Sequence, residues 1–210
     1  MRKRPNLKPR MERCGEVLIP DPAALKGRWK AEFPGYDELR LEIGCGKGSF
    51  TAALAASEPE MLLLALEKSP DAMIKGMELV CSEGIGNVRF MDADALLLRD
   101  IFAPGEIGVI YINFCDPWHK TKHAKRRLTH RRYIELYKQL LPVGGEIHFK
   151  TDNKKLFEFS LNEFCDMNIK LKNISLDLHA KPCEWNVMTE YEQQFSEQGM
   201  PIYRLEAVFE

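Results

Sequence analysis

The chain has no long apolar run. Its 210 residues are 45% hydrophobic and 29% charged, but no segment approaches the roughly 20 consecutive apolar residues that a membrane helix needs. The basic N-terminus is not followed by an apolar stretch, so we expect no secretory signal. These absences favour a cytoplasmic globular protein, and the length favours one sizeable domain over two.

Paired cysteine motifs are also absent. The six cysteines are scattered, with no C-x-x-C among them. This spacing argues against a zinc site and against a disulfide framework. We therefore expect reduced thiols and no bound metal. The cysteines are Cys14, Cys45, Cys81, Cys115, Cys165 and Cys183.

Acidic residues are missing from one strongly basic segment. Residues 120–132 contain seven Lys/Arg and two His but no Asp or Glu, and residues 1–13 contain six Lys/Arg against one Glu. Outside these two segments, 17 basic residues face 30 acidic ones. The concentration of positive charge favours a localised anionic partner. For residues 1–13, a solvated basic tail explains the pattern equally well.

Strand and helix patterns alternate through the middle of the chain. Residues 1–36 contain several prolines and predict an irregular arm with a short helix near 23–30, and residues 37–210 predict one domain. The alternation is typical of a parallel sheet covered by helices on both faces. Residues 169–177 and 202–209 alternate as a half-exposed antiparallel pair does. Strands are predicted at 39–43, 61–67, 87–91, 107–114 and 146–150, and helices from about 49, 70–82, from about 92, 129–141 and 153–165.

Successive predicted strands end in acidic residues. Ligands of open α/β sheets bind beyond the carboxyl ends of the strands, so these residues are candidates for a ligand site. After the first strand, a G-x-G-x-G turn allows the backbone to pass close to a ligand. The candidates are Glu42, Gly44, Gly46, Gly48, Glu67, Asp92 or Asp94, Asp116, and Thr151 with Asp152.

The acid beside the glycine turn discriminates between cofactors. Glu42 lies two residues before Gly44, where its charge would repel the pyrophosphate of a dinucleotide but attract an ammonium group. A cofactor with an ammonium, a ribose and a base but no phosphate is S-adenosylmethionine. Glu42 would then hold the amine, Glu67 the ribose hydroxyls and Asp94 the adenine amine. A helix N-cap role for Asp94 is an equally good explanation.

The segment Ile110 to Arg127 joins a buried strand to the basic cluster. Asp116 and Trp118 follow the strand, and the positive residues Lys122, Lys125, Arg126 and Arg127 come next. Such residues contact nucleic-acid phosphates without reading sequence. Trp118 fits stacking on a base, and ordinary core packing fits it equally well.

Taken together, the motifs resemble those of the bacterial tRNA (guanine-N7)-methyltransferases. The resemblance rests on L-E-I-G-C-G-K-G, Glu67, D-A-D-A-L, N-F-C-D-P-W-H-K with K-R-R-L-T, F-K-T-D-N, and T-E-Y-E with G-M-P-I-Y-R-L. It implies a doubly wound, mostly parallel, seven-stranded Rossmann-like sheet with an antiparallel C-terminal strand. It also implies methyl transfer from S-adenosylmethionine to a variable-loop guanosine of tRNA. The implied roles are cofactor binding for Glu42, Glu67, Asp94 and Asp116, catalysis for Asp116, and substrate binding for Lys120, Asp152, Thr189, Glu190, Tyr191 and Glu192.

Two positions depart from the family pattern, because Cys115 and His119 replace prolines around D-P-W. We expect a looser loop with the same functional groups. Guanine N7 has a free lone pair and no proton, so Asp116 is expected to orient the base and stabilise its charge. A capping role for Thr189 with Glu192 remains an open alternative.

Other functions also remain as alternatives. One alternative is methylation of another RNA or of a small molecule. A second is a non-catalytic RNA-binding subunit with the same fold. A dinucleotide-dependent dehydrogenase is a further alternative, which the position of Glu42 disfavours. The sequence does not decide between a homodimer and a monomer.

Overall fold

A computed structural model describes residues 6–181, 183 and 186–210, so residues 1–5 of the predicted arm lie outside the described residues. The chain divides into two compact units, Met1–Ala103 and Pro104–Glu210. The first unit contains helices α1 (Leu7–Arg13), α2 (Trp29–Glu32), α3 (Ser49–Ser57), α4 (Pro70–Glu83) and α5 (Leu98–Ile101), and strands β1 (Glu38–Ile43), β2 (Met61–Glu67) and β3 (Val88–Asp92). The second contains helices α6 (Arg131–Leu140), α7 (Lys154–Asp166) and α8 (Glu190–Glu197), and strands β4 (Val109–Asn113), β5 (Glu146–Thr151), β6 (Lys170–Ser175) and β7 (Tyr203–Val208).

The strands of the first unit run parallel in the order β3-β2-β1. All of β2 before Glu67 is buried, as expected for a central parallel strand that is covered on both faces. Helix α4 begins with Pro70 at its first position and ends at Gly84, which has a φ of 67°. This Pro-first, Gly-last arrangement is what helix ends favour, and it confirms the predicted helix.

The predicted arm is more regular than its prolines suggested. Residues Leu7–Arg13 form a helix that the sequence did not predict. Pro9 lies in the first turn, where its missing N–H has no intrahelical partner to lose. Arg10 anchors this helix to α4, because its Nε and Nη2 donate to the two carboxylate oxygens of Glu78 at 2.7 and 2.5 Å. Trp29 is fully buried and its Nε1 donates to the carbonyl of Ile101 at 3.0 Å.

The strands of the second unit lie in the order β4-β5-β7-β6. Strand β5 pairs in parallel with β4 and antiparallel with β7, and β7 also pairs antiparallel with β6. The predicted antiparallel C-terminal strand is therefore confirmed. Strand β6 is mostly exposed and carries Lys170 and Lys172, which is a common way to protect an edge strand from further pairing.

The predicted fold class, a mostly parallel seven-stranded α/β sheet, is confirmed. The helix expected from residue 92 is instead a 3₁₀ turn, Ala95–Leu97, followed by the short helix α5. Within the described residues, no helix combines the length and apolarity needed to cross a membrane.

Candidate active site

The glycine turn after β1 is built from left-handed residues. Gly44 and Gly46 have φ angles of 81° and 58°, which side-chain-bearing residues adopt only with strain. A Cβ atom at either position would meet no atom within 4 Å, so the backbone here is open to a ligand. Gly48 differs, because a Cβ there would lie 2.5 Å from the Cα of Gly76 in α4. Its predicted cofactor role is thus accompanied by a packing role.

Glu67 is the last residue of β2 and is hydrogen-bonded to the glycine turn. The backbone N–H of Gly46 donates to its Oε2 at 3.0 Å, and that of Ser69 donates to its Oε1 at 2.9 Å. A carboxylate has about four acceptor positions, so two backbone bonds leave room for two more donors. Glu67 is therefore oriented by its own chain and still able to accept from a diol.

Glu42 is more deeply placed than the sequence suggested. It is buried, and Thr51 Oγ1 in α3 donates to its Oε2 at 2.6 Å. Cys45 in the glycine turn is buried as well. Burial, followed by the charges of Glu42 and Glu67, raises the pKa of the Cys45 thiol well above its ordinary value. The sequence analysis did not predict this contact between Thr51 and Glu42. The signal for it was a polar residue, Thr51, within an otherwise apolar stretch of α3.

Asp94 caps the 3₁₀ turn that follows β3. Its Oδ1 accepts from the backbone N–H of Leu96 at 2.9 Å, so the capping alternative is confirmed. The residue is exposed, and its other oxygen is free to accept from a ligand. Asp92 ends β3 and is also exposed; burial of part of its carboxyl raises the pKa of Asp92 above its ordinary value.

The D-P-W loop of the second unit is bracketed by strained backbone. Phe114 and Trp118 have φ angles of 50° and 43°, and a bulky residue held in this region costs about 1–3 kcal/mol. Asp116 lies between them and is exposed. Among the described residues of this unit, no group donates a hydrogen bond to its carboxylate. Strain of this kind concentrates at functional sites, and here it surrounds a free carboxylate.

The Cys115 thiol directly precedes the candidate carboxylate Asp116 in the chain. Burial, followed by the charge of Asp116 and, more weakly, of Asp152, raises the pKa of the Cys115 thiol to about 12. At neutral pH the thiol is therefore protonated and a poor nucleophile. At Cys115 this agrees with the expectation of a reduced thiol.

The basic residues between positions 120 and 127 differ in exposure. Lys120, Lys122 and Lys125 are exposed, and within the described part of the chain their ammonium groups donate to no protein acceptor. The exposed Arg126 lies over the Trp118 ring, 4.8 Å from its centroid. Arg127 is half-buried and donates to the carbonyls of Pro117 and Trp118 at 3.0 and 3.2 Å. The sequence did not distinguish Arg127 from its neighbours.

Three aromatic rings stack beside the D-P-W loop. Tyr191 lies 6.4 Å from both Phe114 and Phe195, measured between ring centroids, and Phe114 lies 6.4 Å from Phe195. Tyr191 is 56% exposed, so one ring of the cluster is available to a ligand. Glu190 is also exposed. Phe114 was missed as a candidate because it reads as the end of an apolar strand.

Glu192 is a buried structural carboxylate. Thr189 and Glu192 form the capping box of α8, which confirms the capping alternative. Glu192 is fully buried; Lys150 Nζ donates to its Oε2 at 2.6 Å, and His179 Nε2 lies 3.0 Å from its Oε1. Asn186 Nδ2 donates to the same Oε1 at 2.5 Å. With these partners, Glu192 supports the segment rather than facing a ligand.

A second polar cluster lies on β5 and β7. Ligand atoms of Glu146, His148 and Glu206 all lie within 4.8 Å of one another, close enough to hold a metal ion. Lys172 Nζ is already 2.6 Å from Glu146, and Arg204 contacts Glu206. Two cations thus balance two carboxylates, and a divalent ion would have to displace them. We interpret the cluster as an ion-pair network.

This network predicts that acid destabilises the protein. Burial lowers the pKa of His148 below its ordinary value, against its hydrogen bond with Glu146. The unfolded chain therefore takes up the His148 proton first, and stability falls as pH drops below the unfolded value of about 6.5. For Glu146 and Glu206, burial is outweighed by hydrogen bonds, chiefly from Lys172 and Asn173 respectively, which lower each pKa. Their contribution is lost as pH falls further, through their folded pKa values.

Urea unfolding at several pH values measures both effects. One histidine changes the free energy of unfolding by at most about 1.4 kcal/mol per pH unit. The H148N variant should have a shallower slope between pH 5 and 6.5 than the wild type. An unchanged slope would show that His148 is not the titrating group.

The family of the chain follows from comparison with known proteins. The model of a family described as "Putative methyltransferase" matches residues 37–205. A tRNA (guanine-N(7)-)-methyltransferase of Listeria welshimeri serovar 6b is 42% identical over 210 residues, which cover 100% of this chain and 98% of the relative. The chain belongs to the tRNA (guanine-N(7)-)-methyltransferase family. Another family member, from Streptococcus uberis, is 43% identical over 209 residues, covering 100% and 99% of the two chains.

Solved structures outside the family share the fold. The 16S rRNA methyltransferase KamB has a TM-score of 0.65 at 13% identity, covering 87% of this chain and 93% of its own. A mutant 16S rRNA (adenine(1408)-N(1))-methyltransferase from Catenulisporales acidiphilia, solved with cosubstrate SAM, has a TM-score of 0.62 at 9% identity, covering 87% and 90%. At these identities the likeness establishes the fold alone.

Proposed function

We propose that the protein transfers a methyl group from S-adenosylmethionine to N7 of a guanosine in the variable loop of tRNA. The family membership carries this proposal. The residues of the first unit fit the cofactor, because their ligand-facing groups are acceptors while the amine, ribose and adenine offer donors. The same acceptors would repel a pyrophosphate. The chain therefore acts as an S-adenosylmethionine-dependent enzyme. We place its activity in the cytoplasm, together with its tRNA substrate.

Each cofactor residue has a distinct role in this proposal. Glu67 accepts from the ribose hydroxyls, and Asp94 accepts from the adenine amine with the oxygen that does not cap Leu96. Gly44 and Gly46 let the backbone approach the ligand, and Gly48 sets the turn against α4. Glu42 acts on the amine through water, because Thr51 and burial hold its carboxylate back.

When bound, the cofactor supplies an electrophilic methyl group on a sulfonium. Guanine N7 needs no base, so the task of the protein is to position the purine and to stabilise the positive charge that it gains. We assign this to Asp116, whose carboxylate is exposed and free of protein donors among the described residues. Asp152, which directly follows β5, accepts from the guanine N–H groups.

The remaining predicted substrate residues take different roles in this proposal. Tyr191, the exposed ring of the aromatic cluster, stacks on the purine. Lys120 and Glu190 contact the substrate nucleotide from exposed positions, whereas Thr189 and Glu192 hold the start of α8 in place. Lys122, Lys125 and Arg126 contact tRNA phosphates.

The function is tested by the product. Unmodified tRNA is incubated with the protein and labelled S-adenosylmethionine, then digested to nucleosides. We expect labelled 7-methylguanosine. A tRNA that carries 7-deazaguanosine in the variable loop lacks the acceptor nitrogen and should remain unlabelled. Absence of 7-methylguanosine from the first tRNA would refute the proposal, and labelling of the second would refute the variable-loop assignment.

Neutralising the outward basic residues should weaken tRNA binding in a salt-dependent way. In K122Q/K125Q/R126Q, three phosphate contacts are lost. We expect the slope of log K against log salt concentration to become shallower by about two to three units. Titrations at several salt concentrations measure the slope. The control K30Q/K138Q/K170Q removes the same charge from exposed sites elsewhere, and an equal effect in both variants would mean that charge alone, not this surface, is responsible.

A further inference from the structure

The carboxylate assigned to catalysis lies on a loop whose conformation needs support. The left-handed residues Phe114 and Trp118 flank Asp116. A backbone in this conformation relaxes unless its surroundings fix it. Pro117 restricts Asp116 to extended conformations, but it does not fix where the loop as a whole points. Pro117 is the one proline in residues 114–120, so another group has to hold the loop.

Arg127 makes the contacts that would do so. Its Nε donates to the carbonyl of Pro117 at 3.0 Å and its Nη2 to the carbonyl of Trp118 at 3.2 Å. One planar guanidinium thus binds two successive carbonyls directly after Asp116. The fork geometry of arginine matches such a pair, whereas the single ammonium of lysine does not.

The guanidinium is itself held from behind. Its carbon lies 4.4 Å from the centroid of the Phe159 ring. Phe159 belongs to α7 and also stacks on His130, with ring centroids 6.2 Å apart. His130 accepts from the backbone N–H of Arg132 and so caps α6. The loop is connected through Arg127 to two helices of the same unit.

Arg127 therefore differs in kind from its neighbours. Lys125 and Arg126 are exposed, whereas Arg127 is half-buried and its fork is directed at the chain. We propose that Arg127 is a positioning residue that fixes the Asp116 loop for methyl transfer, rather than a phosphate contact. This inference rests on the proposed function, since it assigns a role within the same site.

Two substitutions separate these roles. R127K keeps the charge and loses the fork; R127Q loses both. For a positioning residue, kcat falls at least tenfold in both variants, while KM for tRNA and the salt slope of binding stay near wild type. For a phosphate contact, R127K stays near wild type, and in R127Q the slope becomes shallower by about one unit. That second pattern would overturn the proposal.

Two further variants control for charge and for folding. F159L removes the ring behind the guanidinium without changing charge, and we expect it to lower kcat in the same direction as R127K. K138Q removes one exposed charge from α6 and should leave kcat and binding unchanged. Wild-type kcat in F159L together with wild-type kcat in R127K would rule out the support described here.

Hydrogen exchange tests the loop without relying on activity. In R127K and F159L, peptides that span residues 114–120 should exchange at least tenfold faster than in the wild type, while peptides of the sheet strands remain protected. K138Q should show no change. If the wild type makes no 7-methylguanosine but the loop still exchanges faster in R127K, the proposed function fails and the structural role stands. Unchanged exchange in both variants overturns the proposal.

Discussion

The D116N and D116A variants should lose methylation while still binding tRNA. Loss of a charge-stabilising group at a reacting centre typically costs a factor of about 10²–10³ in kcat, and Asp116 is the exposed carboxylate of the strained D-P-W loop. The D116N side chain keeps the shape of aspartate and removes only the charge. Methyl transfer to tRNA under single-turnover conditions measures the loss directly.

Binding measurements show whether the defect is in chemistry. The tRNA affinity of D116N should remain close to wild type, because the outward lysines provide the phosphate contacts. D100N, which changes an exposed carboxylate of α5, serves as the matched control and should retain activity. Wild-type activity in D116A would remove Asp116 from the site. A loss of activity fully explained by lost tRNA binding would reassign it to binding.

The K150M variant should be strongly destabilised. Lys150 and Glu192 form an ion pair at 2.6 Å, with 7% and 0% of their side chains exposed. Removing one partner of a buried pair leaves an uncompensated charge and costs about 3–5 kcal/mol. Lys150 Nζ also donates to the carbonyl of Val187 at 2.9 Å, so the segment before α8 loses a second support. Urea unfolding measures the free energy directly.

A double variant tests whether the unpaired charge is the cause. K150M/E192L replaces both partners with apolar side chains, which is often neutral or nearly so for a buried pair. We expect it to recover much of the stability that K150M loses. Methylation should stay impaired, because Asn186 and His179 lose the carboxylate that they contact. If the free energy of unfolding of K150M lies within about 1 kcal/mol of the wild-type value, the ion pair does not stabilise the fold as described here.

The sheet and its strand ends could be predicted because their signals are local. Apolar runs, glycine turns and terminal acids each occupy a few consecutive residues, and parallel order follows from strand–helix alternation. Glu67 shows how far this reasoning reaches. Its position at the end of β2 was predicted, but its bonds to Gly46 and Ser69 depend on the folded path of the turn.

The missed features depend on partners that are distant in sequence. Glu192 resembles an exposed helix-start carboxylate until Lys150, 42 positions earlier, is placed against it. Arg127 belongs to a basic run, and only the backbone of the D-P-W loop shows that it points inward. The short helix α1 lacks strong periodicity and is fixed by Arg10 reaching Glu78. The charge pattern of a sequence predicts whether a surface is positive or negative. Tertiary contacts decide which of its charged side chains face solvent.

The contact between Gly48 and Gly76 has a consequence for genetics. A Cβ at Gly76 would lie 3.0 Å from the Cα of Gly48 and equally close to the Phe90 ring. An alanine in the middle of α4 would therefore push on the glycine turn after β1, to which we assign cofactor binding. A screen for loss of tRNA modification should recover Gly76 among the cofactor-turn mutations, and overproducing S-adenosylmethionine in the cell should partly rescue them as one group.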